Sequence, residues 1–136
     1  MNMPTIQLDL GMILIAAAVN MGIGMLWYSP STFGKRWMKA IGMTADSKPK
    51  DMGFIYSLTF FGCLVSAFAL EIFIESMLIS SAFTGIMVGF WAGIGFVATS
   101  SLSQYLFNPH SKLEVYFINT GYYVVSFMTM GFMLGI

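Results

Sequence analysis

Four long apolar stretches limit what this chain can fold into more than any other feature of its sequence. They run from about Leu8 to Trp27, Gly53 to Ser76, Ala82 to Ser103 and Leu113 to Ile136. A helix needs about 20 apolar residues to cross the hydrocarbon core of a bilayer. Transmembrane strands are shorter and alternate polar with apolar residues, a pattern that is missing here. The sequence therefore predicts an all-α integral membrane four-helix bundle, with residues 1–136 as a single domain.

The composition fits a lipid environment. Hydrophobic residues make up 57% of the chain and charged residues 9%, whereas a soluble domain carries about 25% charged residues. A water-soluble fold this apolar would expose large hydrophobic patches and aggregate. A formal net charge of zero gives no sign of a nucleic-acid partner. Membrane lipids are therefore the expected surroundings and partners.

The basic residues predict an orientation in the membrane. They lie between the first and second stretches or between the third and fourth: Lys35, Arg36, Lys39, Lys48, Lys50 and Lys112. The positive-inside rule puts both of these loops in the cytoplasm and both termini outside. We expect a multi-pass protein of the cell membrane, N-out and C-out.

The first loop contains an amphipathic segment from Thr32 to Gly42. Thr32 can cap a short helix whose aromatic face would lie in the membrane interface, with its basic face toward the headgroups. The expected interfacial anchor comprises Trp27, Tyr28, Phe33, Lys35, Arg36, Trp37 and Lys39. Simple anchoring explains this pattern, and recognition of a lipid or a partner is the alternative.

A row of small residues marks the third stretch. Gly85, Gly89 and Gly93 recur every four positions, so they share one helix face and allow another backbone to approach closely. The partner helix could belong to the same chain or to a second copy. With small residues also present in the other stretches, we expect a compact bundle that forms a homo-oligomer.

Polar residues inside the apolar stretches are the first candidates for function, because burying them in a membrane is costly. Asn20 and Asn119 are predicted at similar depths, and Ser100 and Tyr123 approach the same level. These residues form a candidate polar cavity that is open to the cytoplasm. The alternative is that they make hydrogen bonds that hold the helices together.

Two carboxylates, Glu71 and Glu75, lie one turn apart near the end of the second stretch. If that helix ends near Ile74, both lie close to the outer interface and are hydrated. If it continues to Ile79, Glu71 lies several residues deep, with no Lys or Arg expected on that side to pair with it. The two residues are then a candidate proton or cation site.

No residue pattern indicates catalysis, a cofactor or a metal. The chain has one cysteine, Cys63, and one histidine, His110, which together cannot supply the ligands of a zinc site. Catalytic motifs and phosphate-binding glycine loops are missing from the sequence. We therefore predict no catalytic, cofactor-binding or metal-binding residues and do not expect an enzyme.

Several short motifs resemble a known family. They are Trp27-Tyr28-Ser29-Pro30, Phe33-Gly34, Trp37-Met38-Lys39, Gly42-Met43-Thr44 and the stretch from Leu113 to Tyr123. In these motifs, and over nearly its whole length, the chain is similar to the bacterial and fungal domain-of-unknown-function family numbered 1761. The resemblance implies a small four-helix membrane protein, of the inner membrane in a bacterium, and it implies no activity.

Two classes of function stay open at this point. The candidate cavity, the glycine face and Glu71 favour a homo-oligomeric transporter or channel for a small solute or ion. The basic interfacial helix and the lack of a clear ionisable pathway favour a structural or regulatory subunit, with other membrane proteins as partners.

Overall fold

The computed structural model describes residues 5–47 and 49–136, which are helical and contain no strand. The helices in this part are α1 (Leu10–Trp27), α2 (Gly34–Ala40), α3 (Met52–Ser76), α4 (Ala82–Leu106) and α5 (Leu113–Leu134). A short 3-10 turn, Ala45–Ser47, lies between α2 and α3. The four helices α1, α3, α4 and α5 are long and apolar enough to cross a membrane. They confirm the predicted all-α, four-helix membrane class.

Polar side chains set where three of the long helices begin. The side chains of Asp9, Asp51 and Ser81 each accept a hydrogen bond from the amide three residues further on, at 3.0, 3.1 and 3.5 Å. Such caps satisfy amide groups that the first helical turn leaves without partners. The cap at Asp9 explains why α1 begins at Leu10 rather than at Leu8.

The hydrophobic core is concentrated in one half of the bundle. The loops that join α1 to α3 and α4 to α5 lie at one end, here called the basic end, and the opposite end is called the far end. The core side chains lie toward the far end: Ile13, Ala16, Ala17, Cys63, Ala67, Leu70, Ile74, Met130 and Leu134. Among the described residues, α3 buries none before Cys63, and α4 buries none after Gly93.

Helix α5 lies at the centre and contacts α1, α3 and α4, whereas α3 and α4 scarcely touch each other. Residues 77–81 join α3 and α4 at the far end. In the first turns of α3, at the basic end, every residue from Gly53 to Thr59 is exposed. The two helices therefore separate toward the basic end, and the gap between them is called the α3–α4 cleft.

The short helix α2 starts later than predicted. Thr32 does not cap it; its hydroxyl donates to the carbonyls of Leu26 and Trp27 and so caps the end of α1. The helix begins at Gly34 because the chain first turns back on α1. It ends as predicted close to Gly42, whose φ of 73° lies in the left-handed region that favours glycine.

Candidate functional site

A cavity of about 640 Å³ opens between the helices in the basic half of the bundle. One wall is formed by residues of α4: Val97, Ser100, Ser101, Gln104 and Tyr105. Several of these lie four positions apart, so they share one face of the helix. Most of them carry hydroxyl or amide groups, which makes this wall polar.

The other walls come from the remaining helices. Residues of α5 form the side opposite α4: Asn119, Thr120, Tyr123 and Phe127. Tyr28, just after α1, and Trp37 of α2 complete the basic end, and Ser66 is the contribution of α3. All four long helices or their ends therefore meet at this cavity, and α2 covers part of it.

A change in the winding of α4 accompanies the polar wall. Residues Gly93–Ala98 form a π-helical turn, an arrangement that is rare and frequently found at functional sites. The Tyr116 hydroxyl of α5 donates to the Ala98 carbonyl at 2.8 Å, which supports the irregular turn. On the far-end side of this turn, α4 presents glycines to α5. On the basic-end side, it presents the polar residues of the cavity.

Asn119 connects three parts of the cavity. Its Oδ1 accepts a hydrogen bond from the Tyr28 hydroxyl at 2.7 Å, and its Nδ2 donates to the Tyr105 hydroxyl at 2.6 Å. Both functions of the amide are thus in use, and they fix the positions of the two phenols. Because the Tyr105 oxygen accepts from Asn119, its own hydrogen is left to donate to another acceptor.

Trp37 brings a second donor. Its indole Nε1 is buried and has no hydrogen-bond partner within the described part of the chain. An indole nitrogen can only donate, and a buried donor without a partner costs about 1–3 kcal/mol. Trp37 also lines the cavity, so an acceptor that reached this nitrogen from there would remove this cost.

The cavity is electrically neutral. No charged side chain lines it among the residues that the structure describes. Burial raises the pKa of the Tyr28 phenol, and the neighbouring phenols of Tyr123, Tyr122 and Tyr105 raise it further. Tyr28 therefore stays protonated and donates its hydrogen bond to Asn119 at physiological pH.

The structure brings together three of the four residues of the candidate polar cavity. Ser100, Asn119 and Tyr123 line the cavity, whereas Asn20 lies outside its walls. Asn20 is buried where α1 packs against α5, and its Oδ1 accepts from the Tyr122 hydroxyl at 2.9 Å. Its polar group is used in joining two helices, which was the alternative considered for all four residues.

Glu71 and Glu75 have different surroundings. Helix α3 ends at Ser76, between the two lengths considered, but the start of α1 covers Glu71 and leaves it 3% exposed. Its Oε1 accepts from the Asp9 amide at 3.3 Å, and its Oε2 has no partner in the described ranges. Glu75 is half-buried. Residues 5–47 and 49–136 contain no group of three or more His, Cys, Asp and Glu placed to hold a metal ion.

The glycine row of α4 lies against α5 of the same chain. A Cβ atom on Gly85 would overlap the Gly131 carbonyl, and one on Gly89 would overlap the Phe127 carbonyl. A Cβ on Gly93 would lie 2.9 Å from the Cα of Val124. The row is therefore occupied within the chain and is not free to contact a second copy.

The expected interfacial anchor is fastened to the bundle through its aromatic residues. The Trp27 indole donates to the Ile118 carbonyl of α5 at 3.0 Å, and the Phe33 ring lies 4.7 Å from the Trp27 ring. Gly34 lies so close to the turn after α1 that a Cβ atom would overlap the Tyr28 carbonyl. These contacts hold α2 against the end of α1, which is bonded to α5, and α2 also packs on α5 directly.

The basic residues of α2 point away from the cavity walls. Lys35 and Lys39 are exposed, and Arg36 forms an exposed ion pair with Glu114 at the start of α5, at 2.7 Å. Such exposed pairs contribute about 0–1 kcal/mol. The aromatic contacts therefore do more than this ion pair to position α2.

Several cavity residues were not anticipated from the sequence. Tyr28 and Trp37 had been assigned to the membrane interface, and they also form cavity walls. Tyr105 had a detectable signal, since it continues the four-residue spacing of Val97 and Ser101. Only the packing of α2 against α5 could place Trp37 here.

One of the comparisons with known proteins identifies a family for this chain. The family model described as "Protein of unknown function (DUF1761)" matches residues 12–135. No curated protein and no solved structure matches the chain. The matched range extends from α1 to the end of α5 and includes the whole cavity. The chain therefore belongs to the DUF1761 family, as its motifs had indicated.

Proposed function

We propose that this protein binds a small uncharged molecule in the cavity at the basic end and moves it into or across the membrane, as a transporter. The observation that carries the proposal is the lining itself. It combines hydroxyl, amide and aromatic groups with a buried indole donor that has no partner among the described residues. An ion would find no charged side chain among the described lining residues to offset the loss of its hydration.

The size of the cavity supports this proposal. Its volume of about 640 Å³ lies within the 300–1,000 Å³ that are typical of small-molecule sites. The positive-inside rule would make the basic end cytoplasmic, in a bacterial inner membrane. The cavity would then load or release its molecule on the cytoplasmic side.

Binding of two uncharged probes tests the proposal. Erythritol and a long-chain monoacylglycerol are added separately to the purified protein in nanodiscs, and thermal unfolding is measured. A ligand that binds only the folded state stabilises it by about 2.7 kcal/mol at one hundred times its Kd. Uptake of the probe that binds is then measured in proteoliposomes that contain the protein.

Matched variants distinguish binding in the cavity from binding elsewhere on the protein surface. Ser100→Trp and Val97→Trp fill the cavity, whereas Phe96→Trp enlarges a neighbouring side chain that is 66% exposed and does not line it. We expect at least one probe to stabilise the wild type and the Phe96 variant, but not the filled variants. Stabilisation by neither probe, or equal stabilisation of every variant, would contradict the proposal.

A structural or regulatory subunit is the second candidate. It is favoured by the exposed first turns of α3, where the polar side chains Ser57 and Thr59 satisfy their hydroxyls on their own helix. A partner helix could cover this surface. Copurification of one stoichiometric membrane protein in mild detergent, lost in Ser57→Trp, is the result that this candidate requires.

A further inference from the structure

We infer that the molecule bound in the cavity is a neutral amphiphile, whose uncharged head lies at the basic end and whose hydrocarbon chain passes through the α3–α4 cleft into the lipid. This inference rests on the proposed function and narrows its substrate class. It follows from the depth, the polarity and the open side of the cavity.

The cavity extends from the basic end of the bundle toward its middle. Asn119 lies six residues into α5 (119 − 113 = 6), which is about 9 Å at 1.5 Å per residue. Phe127 lies fourteen residues in (127 − 113 = 14), or about 21 Å, and Ser66 lies equally far into α3 (66 − 52 = 14). These lining residues of α5 therefore cover about 12 Å of depth, in a hydrocarbon core that is about 30 Å thick.

Polarity changes along this depth. Near the basic end the lining consists of phenol, amide and indole groups, with Gln104, Tyr105 and Asn119 among them. The deepest part includes Val97 and Phe127, together with the small hydroxyl of Ser66. A water-soluble polyol would match only the first part, whereas a molecule with a polar head and an apolar chain matches both.

One side of the cavity opens toward lipid. Helix α3 contributes Ser66 as its wall residue, and α3 and α4 scarcely touch. The first turns of α3 leave large apolar side chains such as Phe54 and Leu58 exposed. A hydrocarbon chain in the α3–α4 cleft would pass between the wall of α4 and the exposed first turns of α3, and no aqueous path is needed for it to reach the site.

The hydrogen-bond donors of the cavity indicate the chemistry of the amphiphile's head. The Tyr105 hydroxyl can donate to an acceptor, and the buried Trp37 indole has no partner among the described residues. Ester, carbonyl or hydroxyl oxygens are acceptors that suit both donors. A phosphate head would place its charge among neutral groups, since Arg36 is paired with Glu114 outside the cavity. An uncharged head that is rich in oxygen satisfies the donors without this cost.

A photoreactive probe tests the inference. A monoacylglycerol with a diazirine in its chain is added to the protein in nanodiscs and illuminated, and the cross-linked residues are identified by mass spectrometry. We expect cross-links in α3 and α4 around Ser66 and Val97. They should be lost in Ser100→Trp and kept in Phe96→Trp.

A charged control probe and a second filled variant serve as controls for the cross-linking experiment. A fatty acid anion with the same chain and diazirine should label the cleft much more weakly, because its head is charged. Val97→Trp repeats the blocking test at a second depth, and both filled variants are compared only after their circular dichroism and melting match the wild type. Should one filled variant not fold, the other decides.

Each of the other labelling and binding results has a defined meaning for the two proposals. Equal labelling of all variants would identify surrounding lipid only and overturn the inference, as would equal labelling by the fatty acid anion. If erythritol stabilises the protein and the monoacylglycerol neither stabilises nor labels it, the amphiphile is excluded while the proposed function stands. If neither probe binds, the proposed function fails as well.

Discussion

At the residue scale, the contact between α4 and α5 depends on the absence of side-chain atoms. Gly85 and Gly89 bring the α4 backbone against the carbonyls of Gly131 and Phe127. Between membrane helices, close packing of this kind replaces the hydrophobic driving force that water would supply. A single methyl group at these positions has no space that it can take without moving a backbone.

We therefore expect Gly89→Ala to destabilise the protein by at least about 1–3 kcal/mol, the usual cost of overpacking. Gly95→Ala is the matched control on the same helix, because nothing lies within 4 Å of a Cβ atom there. Replacing that glycine should be neutral or stabilising, by up to about 1 kcal/mol. Thermal unfolding in detergent measures both, and a Gly89 variant as stable as the Gly95 variant would contradict the packing described.

The phenol of Tyr28 gives a pH-dependent prediction. Burial raises its pKa in the folded protein, whereas an unfolded tyrosine ionises at about pH 10. Above that pH the folded state holds more protons than the unfolded state, so stability is complete below about pH 10 and declines as the pH rises. Tyr28→Phe should remove part of this decline.

Melting temperatures measured between about pH 8 and 12 test this effect across the tyrosine range. Tyr56→Phe serves as the control, because Tyr56 is exposed on α3 and does not line the cavity. We expect this control to follow the wild-type curve. Curves for the wild type and Tyr28→Phe that coincide would rule out a contribution from Tyr28.

Part of the site could be predicted residue by residue. Ser100, Asn119 and Tyr123 attract attention as polar groups within apolar stretches, and all three line the cavity. Asn20 has the same signal, yet it lies where α1 packs against α5 and bonds to Tyr122. Sequence gives the depth of a polar residue in a span, but the side it faces depends on how the helices pack.

At the scale of elements, α2 is a docked helix rather than a free one on the membrane surface. The Trp27 indole, the Phe33 ring and the close approach of Gly34 hold it to α1 and α5. The exposed pair of Arg36 with Glu114 adds little. The position of Trp37 over the cavity depends on these contacts.

Replacing Gly34 by alanine should release α2, because the added Cβ atom would overlap the Tyr28 carbonyl. We expect trypsin to cleave after Lys35 or Lys39 several times faster in Gly34→Ala than in the wild type. Glu114→Gln removes only the exposed ion pair, so its cleavage rate should stay close to that of the wild type. Faster cleavage of Glu114→Gln than of Gly34→Ala would mean that the ion pair does more than the close approach of Gly34 to hold α2 in place.

The long helices were predictable as elements because about 20 consecutive apolar residues have few other uses. Their ends shifted by a few residues, set by caps such as Asp9. The π-helical turn at Gly93–Ala98 was not predictable, because no local residue preference separates it from ordinary helix. It depends on packing against α5, where Tyr116 supports the Ala98 carbonyl.

For the whole molecule, the orientation predicted from the basic loops can be tested directly. In a Cys63→Ser background, Ser80→Cys places a thiol at the far end and Asp46→Cys places one at the basic end. A membrane-impermeant maleimide should label the Ser80 variant on intact cells and the Asp46 variant only after permeabilisation. The opposite pattern would invert the orientation, and labelling of both on intact cells would indicate two orientations.

Close packing at the far end and separation of α3 from α4 at the basic end give the protein different cross-sections in the two leaflets. In one leaflet side chains fill the space between these helices, and in the other lipid chains have to fill it. The lateral packing of that second leaflet therefore helps to set the width of the α3–α4 cleft. If the cavity binds a molecule as proposed, we therefore expect bilayer composition, as well as protein sequence, to affect how readily that molecule enters it.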